Sequence, residues 1–96
     1  MPTATGSVSG PHSGHRNVFY GLSTCVWCKR TRQFLEEQGV AFDFVYVDLL
    51  VGGEREEAMA QVRQWNPALS FPTLVVDDAQ CVVGAKPDQI REVLGL

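Results

Sequence analysis

Ninety-six residues, 45% of them hydrophobic, allow one domain with a real core and leave no room for two. A formal net charge of −3 without a basic cluster argues against nucleic acid as the main partner, and no segment approaches the length of a membrane span. The N-terminus shows no cationic start followed by an apolar block, so a cytoplasmic setting is expected, where three cysteines make a poor structural framework.

Residues Met1 to Arg16 are Gly, Ser, Thr, Pro and His with almost nothing apolar, and read as a disordered tail. His12 and His15 lie in it, and two histidines on such a tail point to no specific site. The domain is expected over residues 17–96. It opens with Asn17-Val18-Phe19-Tyr20, a short run rich in β-branched and aromatic residues that reads as a strand. Gly21-Leu22-Ser23-Thr24 is a tight connection, with Ser23 or Thr24 available to cap the following helix. From Cys25, the apolar or aromatic residues Trp27, Phe34, Leu35 and Val40 are interleaved with charged and polar ones. This predicts an amphipathic helix of about four turns, ended by Gly39.

Phe44-Val45-Tyr46-Val47 is a nearly continuous apolar strand, which suggests cover on both faces and a right-handed strand–helix–strand crossover. A loop over Leu49 to Gly53 leads to a second helix from Glu54 to about Trp65, with Met59, Val62 and Trp65 expected in the core. Asn66-Pro67 ends it. Leu74-Val75-Val76 and Cys81-Val82-Val83 form a hairpin across Asp77 to Gln80, and Pro87 with Asp88 starts a last helix carrying Ile90, Val93 and Leu94. Cys81, between apolar neighbours, is expected to behave as a small buried hydrophobe.

The chemistry centres on Cys25-Val26-Trp27-Cys28. Three positions are close to one helical turn, so the two sulfurs lie within disulfide reach. At a helix N-terminus the unpaired N–H groups and the dipole favour the anionic, nucleophilic form of a thiol. Cys25 is expected to be the exposed attacking thiol and Cys28 the buried resolving one. Lys29 and Arg30 add positive charge beside the pair, and Trp27 offers an apolar platform to a partner or packs on the next loop. The alternative is metal: the pair could give two ligands to zinc or an iron–sulfur cluster. Only Cys81 and the two histidines remain as further ligands, so this requires a second subunit or an added thiol.

Three motifs in order carry a resemblance: Ser23-Thr24-Cys25-Val26-Trp27-Cys28-Lys29, Phe71-Pro72-Thr73 and Gly84-Ala85-Lys86-Pro87-Asp88. From about Arg16 to Leu96 the chain resembles a glutaredoxin, or a glutaredoxin-like redoxin of the thioredoxin superfamily. The resemblance implies an α/β, thioredoxin-like βαβαββα fold, with a four-stranded mixed sheet flanked by three helices and a cis Phe71–Pro72 bond. It implies that Phe71 offers its main chain to an extended substrate, and that Asp88 with the adjoining helix N-terminus holds the γ-glutamyl end of glutathione. Thr24, Trp27, Lys29, Pro72 and Gly84 complete the implied substrate or glutathione site.

The implied activity is that of a monomeric dithiol–disulfide oxidoreductase acting on protein disulfides or glutathionylated proteins, with no bound cofactor or metal and glutathione as co-substrate. Three departures bear on this. The lysine many glutaredoxins carry three residues before the first cysteine is Leu22 here. The family's double glycine is reduced to Gly84-Ala85, and the residue after the first cysteine, often proline, is Val26. Val26 with Lys86-Pro87-Asp88 is similar to redoxins recharged by thioredoxin reductase, so that donor stands beside glutathione.

Overall fold

A computed structural model describes residues 5–96. Five strands form one mixed sheet in the spatial order β1-β3-β2-β4-β5. In chain order the elements are β1 (Thr5–Val8), β2 (Asn17–Gly21), α1 (Val26–Glu37), β3 (Phe42–Tyr46), a 3-10 turn (Val47–Leu49), α2 (Gly52–Trp65), β4 (Thr73–Val76), β5 (Gln80–Val83) and α3 (Pro87–Leu94). β2 pairs parallel with β3, Phe19 opposite Phe44, and antiparallel with β4, Phe19 opposite Leu74. The expected βαβαββα order is therefore present as β2 through α3.

The larger core cluster joins Phe19, Phe42, Phe44, Leu74 and Val82 of the sheet to Cys28 and Leu35 of α1 and to Ile90 and Leu94 of α3. A smaller one gathers Val47, Leu50 and Ala58 against Tyr20, Val45 and Phe71. Of the residues expected to anchor α2, Val62 is fully buried, whereas Met59 and Trp65 are only half-buried and Ala58 takes the remaining core position. α1 ends as its glycine predicts. Gly39 is left-handed (φ 70°) and donates to Glu36 O, while Val40 donates to Leu35 O, both at 3.0 Å; this two-bond closure satisfies the last carbonyls of the helix.

The region read as a tail differs from expectation. Met1–Ala4 lie outside the described residues, but Thr5–Val8 form a strand of the sheet and His12 bridges to Val40, so this stretch is not a free tail and the count of four strands becomes five among the described residues. β1 pairs antiparallel with β3, Thr5 opposite Val45 and Val8 opposite Phe42. Farther along, His12 donates to Gly39 O and accepts from Ala41 N, each at 2.9 Å. The physical reason is close backbone approach. A Cβ on Gly6 would lie 2.7 Å from the Phe44 ring, and one on Gly10 would lie 2.3 Å from Gly39 O. Glycine, read in sequence as a mark of disorder, here lets the arm lie flat on the sheet. His12 and His15 are part of this docking: His15 Nδ1 sits 2.7 Å from the Asp77 carboxylate.

Candidate active site

β2 runs from a buried start at Asn17 to Gly21, and the chain then turns through Leu22–Thr24 into α1. The capping role expected of Ser23 or Thr24 falls instead to Cys25. Its backbone is extended (φ −83°, ψ 120°) and its Sγ accepts the Cys28 N–H at 3.3 Å. Ser23 is used elsewhere: its N–H donates to Asp48 Oδ1 at 2.9 Å and its hydroxyl to Asp48 Oδ2 at 2.5 Å. Burial works against the Asp48 charge, but these two hydrogen bonds, its own N–H and the charge of Arg55 outweigh it and hold the carboxyl below its usual value. Asp48 thus ties the turn before Cys25 to the end of β3. Sequence reading missed it, since an acidic residue just past a strand reads only as a loop residue.

Cys25 is half-buried and Cys28 is buried against the core, one turn below; both are free thiols. Burial, then the hydrogen bond with Cys25, push the Cys28 thiol up to about 12, and the Asp48 charge acts in the same direction. Cys28 is held as a protonated thiol beside an accessible partner. The expected contrast in exposure between the two cysteines is present.

Beside the pair lies an open groove of about 330 Å³ walled by Trp27, Phe71, Pro72, Gly84, Ala85 and Lys86. Trp27 is 58% exposed on this wall. The Phe71–Pro72 bond is cis. Pro72 O accepts the Gly84 N–H at 2.8 Å, joining the two loops that make the far wall. Among the described residues no hydrogen bond engages the Phe71 main chain. The loop is held from below by Asn66, buried, whose Nδ2 lies 3.0 Å from Ser70 O, 2.9 Å from Ser70 Oγ and 3.3 Å from Thr73 Oγ1. Asn66 and Thr73 are further supporting residues; in sequence Asn66 was legible only as a helix terminator.

Cys25, Cys28, Trp27, Phe71, Pro72 and Gly84 are therefore brought to one end of the sheet. Thr24, Lys29 and Asp88 are exposed and line no part of this groove. Asp88 stands in the first turn of α3, 3.4 Å from the Arg91 guanidinium. Cys81 is half-buried, its Sγ 3.5 Å from Trp65 O. Among the described residues no three His, Cys, Asp or Glu side chains cluster to hold a metal ion. No helix there is long and apolar enough to cross a membrane.

Fold and site together define a thioredoxin-like protein with a Cys-X-X-Cys pair at the start of its first helix. The glutaredoxin family model matches residues 17–81. The chain belongs to the glutaredoxin family, whose members are thiol–disulfide oxidoreductases. Among solved structures it is similar to the glutaredoxin of Methanosarcina mazei Go1, with 49% identity, a TM-score of 0.92 and coverage of 98% of this chain and 90% of that one. It is also similar to Methanosarcina acetivorans methanoredoxin, with 47% identity, a TM-score of 0.91 and coverage of 99% and 100%. The glutaredoxin-like NrdH-redoxin of Escherichia coli, described as having a thioredoxin-like activity profile, is 26% identical at a TM-score of 0.66, covering 81% of this chain and 93% of that one.

Proposed function

We propose that this protein is a cytoplasmic dithiol–disulfide oxidoreductase that reduces disulfides of protein clients, or glutathione mixed disulfides, through Cys25 and Cys28. The observation that carries the reading is the pairing of a half-buried Cys25 sulfur, capped by the Cys28 N–H, with a buried Cys28 one turn below. Cys25 thiolate attacks one sulfur of the substrate disulfide; the S–S electron pair leaves with the other sulfur, and a mixed disulfide forms. Cys28 then loses its proton and attacks Cys25 Sγ. The client sulfur leaves as a thiolate, and a Cys25–Cys28 disulfide remains. Two electrons and two protons from a thiol donor restore the dithiol. The unpaired main chain of Phe71 suits an extended client segment laid along the groove, pairing as an added strand.

We take glutathione as the first donor to test, with a dithiol reductase of the thioredoxin reductase type as the alternative. The likeness to a redoxin with a thioredoxin-like profile, together with Leu22 and Ala85, supports that alternative. Turnover of a protein disulfide is measured with NADPH and either glutathione plus glutathione reductase or thioredoxin reductase alone. The donor that sustains turnover is identified directly, and inactivity with both, together with an unreactive Cys25, would contradict the oxidoreductase reading.

A further inference from the structure

Trp27 separates two hollows. On one side lies the groove along Phe71–Pro72; on the other, a smaller slot of about 180 Å³ lies between α1 and α3. Trp27 and Phe34 wall this slot, with Thr31, Ala85, Pro87 and Ile90 completing it. The one polar side chain of its interior is already used, since Thr31 Oγ1 donates to Trp27 O at 2.8 Å. Cations mark the rim: the Arg30 guanidinium lies 5.2 Å from the Trp27 ring, and that of Arg91 lies 5.2 Å from the Phe34 ring. Arg91 is paired with Asp88, and Glu92 stands exposed beside it on α3. Arg30 makes no ion pair among the described residues.

We propose that this slot takes a large apolar side chain of a disulfide-bearing polypeptide client, in an extended segment that carries a carboxylate beside that residue. The proposal rests on the oxidoreductase reading and names its substrate class. Three observations support it. The slot is smaller than a typical small-molecule site, so it suits one side chain rather than a whole ligand. It is continuous with the redox groove through Trp27 and Ala85. Its rim offers an unpaired guanidinium to an acidic neighbour. The position also fixes a spacing. Thr31 lies six residues along α1 from Cys25, about 9 Å at the helical rise, which an extended peptide spans in about three residues. Glutathione has no apolar side chain beyond its cysteine and offers nothing to fill the slot.

The test uses peptides bearing one cysteine as a disulfide with a chromogenic small thiol, reacted with the reduced full chain. One peptide set carries Leu three residues from the cysteine, on either side, next to Asp; its control carries Ser in place of Leu. For one of the two placements the Leu peptide is expected to react about tenfold faster than its control, the scale of burying one such side chain. Phe34→Ala should remove that preference while leaving the reaction with a small symmetric disulfide unchanged. The peptide comparison on the unaltered protein stands whether or not this variant folds. Independently of redox chemistry, a Cys-to-Ser Leu peptide should shift the amide resonances of Thr31, Phe34 and Ile90. Equal rates in both placements with no shift at those amides would overturn the proposal. So would slot resonances that move with protein concentration alone, which would assign the slot to a second copy of the chain. Failure of the small disulfide to react would sink the oxidoreductase reading instead, and the resonance shifts would still decide the slot.

Discussion

The two ends of β2 are secured by different means. At the Gly21 end, side chains hold the loops: Asp48 takes both donors of Ser23, Asn66 gathers Ser70 and Thr73, and the Cys25 sulfur caps α1. At the Asn17 end the backbone does most of the holding, through the β1–β3 ladder, the His12 bonds to Gly39 and Ala41, and the 2.7 Å bond from Asp77 N to Arg16 O. The difference separates chemistry from support. The side-chain clamps leave the Phe71 main chain without partners among the described residues, whereas the pairing at the other end uses the backbone up. Changes at the first end should therefore alter reactivity first, and changes at the second should alter stability first.

The largest effect is expected from Cys25→Ser, which removes the attacking sulfur and should reduce disulfide turnover to background. Cys28→Ser should be more selective. A mixed disulfide with a protein client should then persist, detectable by mass on non-reducing gels, because no second thiol releases it. If Cys28→Ser turned over protein disulfides as fast as the unaltered chain, the resolving role would be wrong.

Deleting residues 1–16 should leave Cys25 reactivity within about twofold but destabilise the fold by about 2 kcal/mol, the scale of a few net backbone hydrogen bonds. In a domain of this size that is a fall in Tm of about 10 °C by calorimetry. A large loss of reactivity with unchanged Tm would invert the comparison between the two ends.

Asp48→Asn should cost about 1 kcal/mol, at the low end for a charge-assisted bond because the carboxylate is exposed. It should also lower the pH at which Cys28 titrates, since the Asp48 charge helps to raise that thiol. Titration by thiolate absorbance checks this. A further effect is confined to alkaline pH and concerns stability. The Cys28 pKa is raised in the fold from its ordinary value of 9.0 to about 12, so the folded state binds this proton more tightly than the unfolded state does. Its contribution is complete below pH 9 and is lost as pH rises through 12. Denaturation of the reduced chain should therefore show a steeper alkaline decline than Cys28→Ser does.

What was legible in the sequence followed from local chemistry. The Asn17–Tyr20 run, the capped stop at Gly39, the Asp77–Asp78 hairpin and Pro87 at a helix start each depend on residues adjacent in the chain, and each is found where its pattern placed it. The burial contrast between Cys25 and Cys28 followed from helical spacing alone. What escaped depends on partners distant in sequence. The pairing of β1 rests on glycines lying against Phe44 and Gly39, at separations no local pattern reveals. Asp48 became a positioning residue only when β3 brought it beside Ser23, 25 residues away. Cys25 rather than Ser23 is the cap because α1 begins at Val26, which leaves Ser23 two positions too early and bonded to Asp48. The half-exposure of Trp65 came from α2 burying only Ala58 and Val62, a narrower face than its apolar spacing suggests.

The central claim is tested most directly by equilibrating the chain in glutathione redox buffers, trapping thiols by alkylation and reading the mass. The account predicts a reversible loss of two hydrogens confined to Cys25 and Cys28, with Cys81 alkylated throughout. A pair that stays reduced across all buffers, or that stops at a stable glutathione adduct on Cys25, would contradict it.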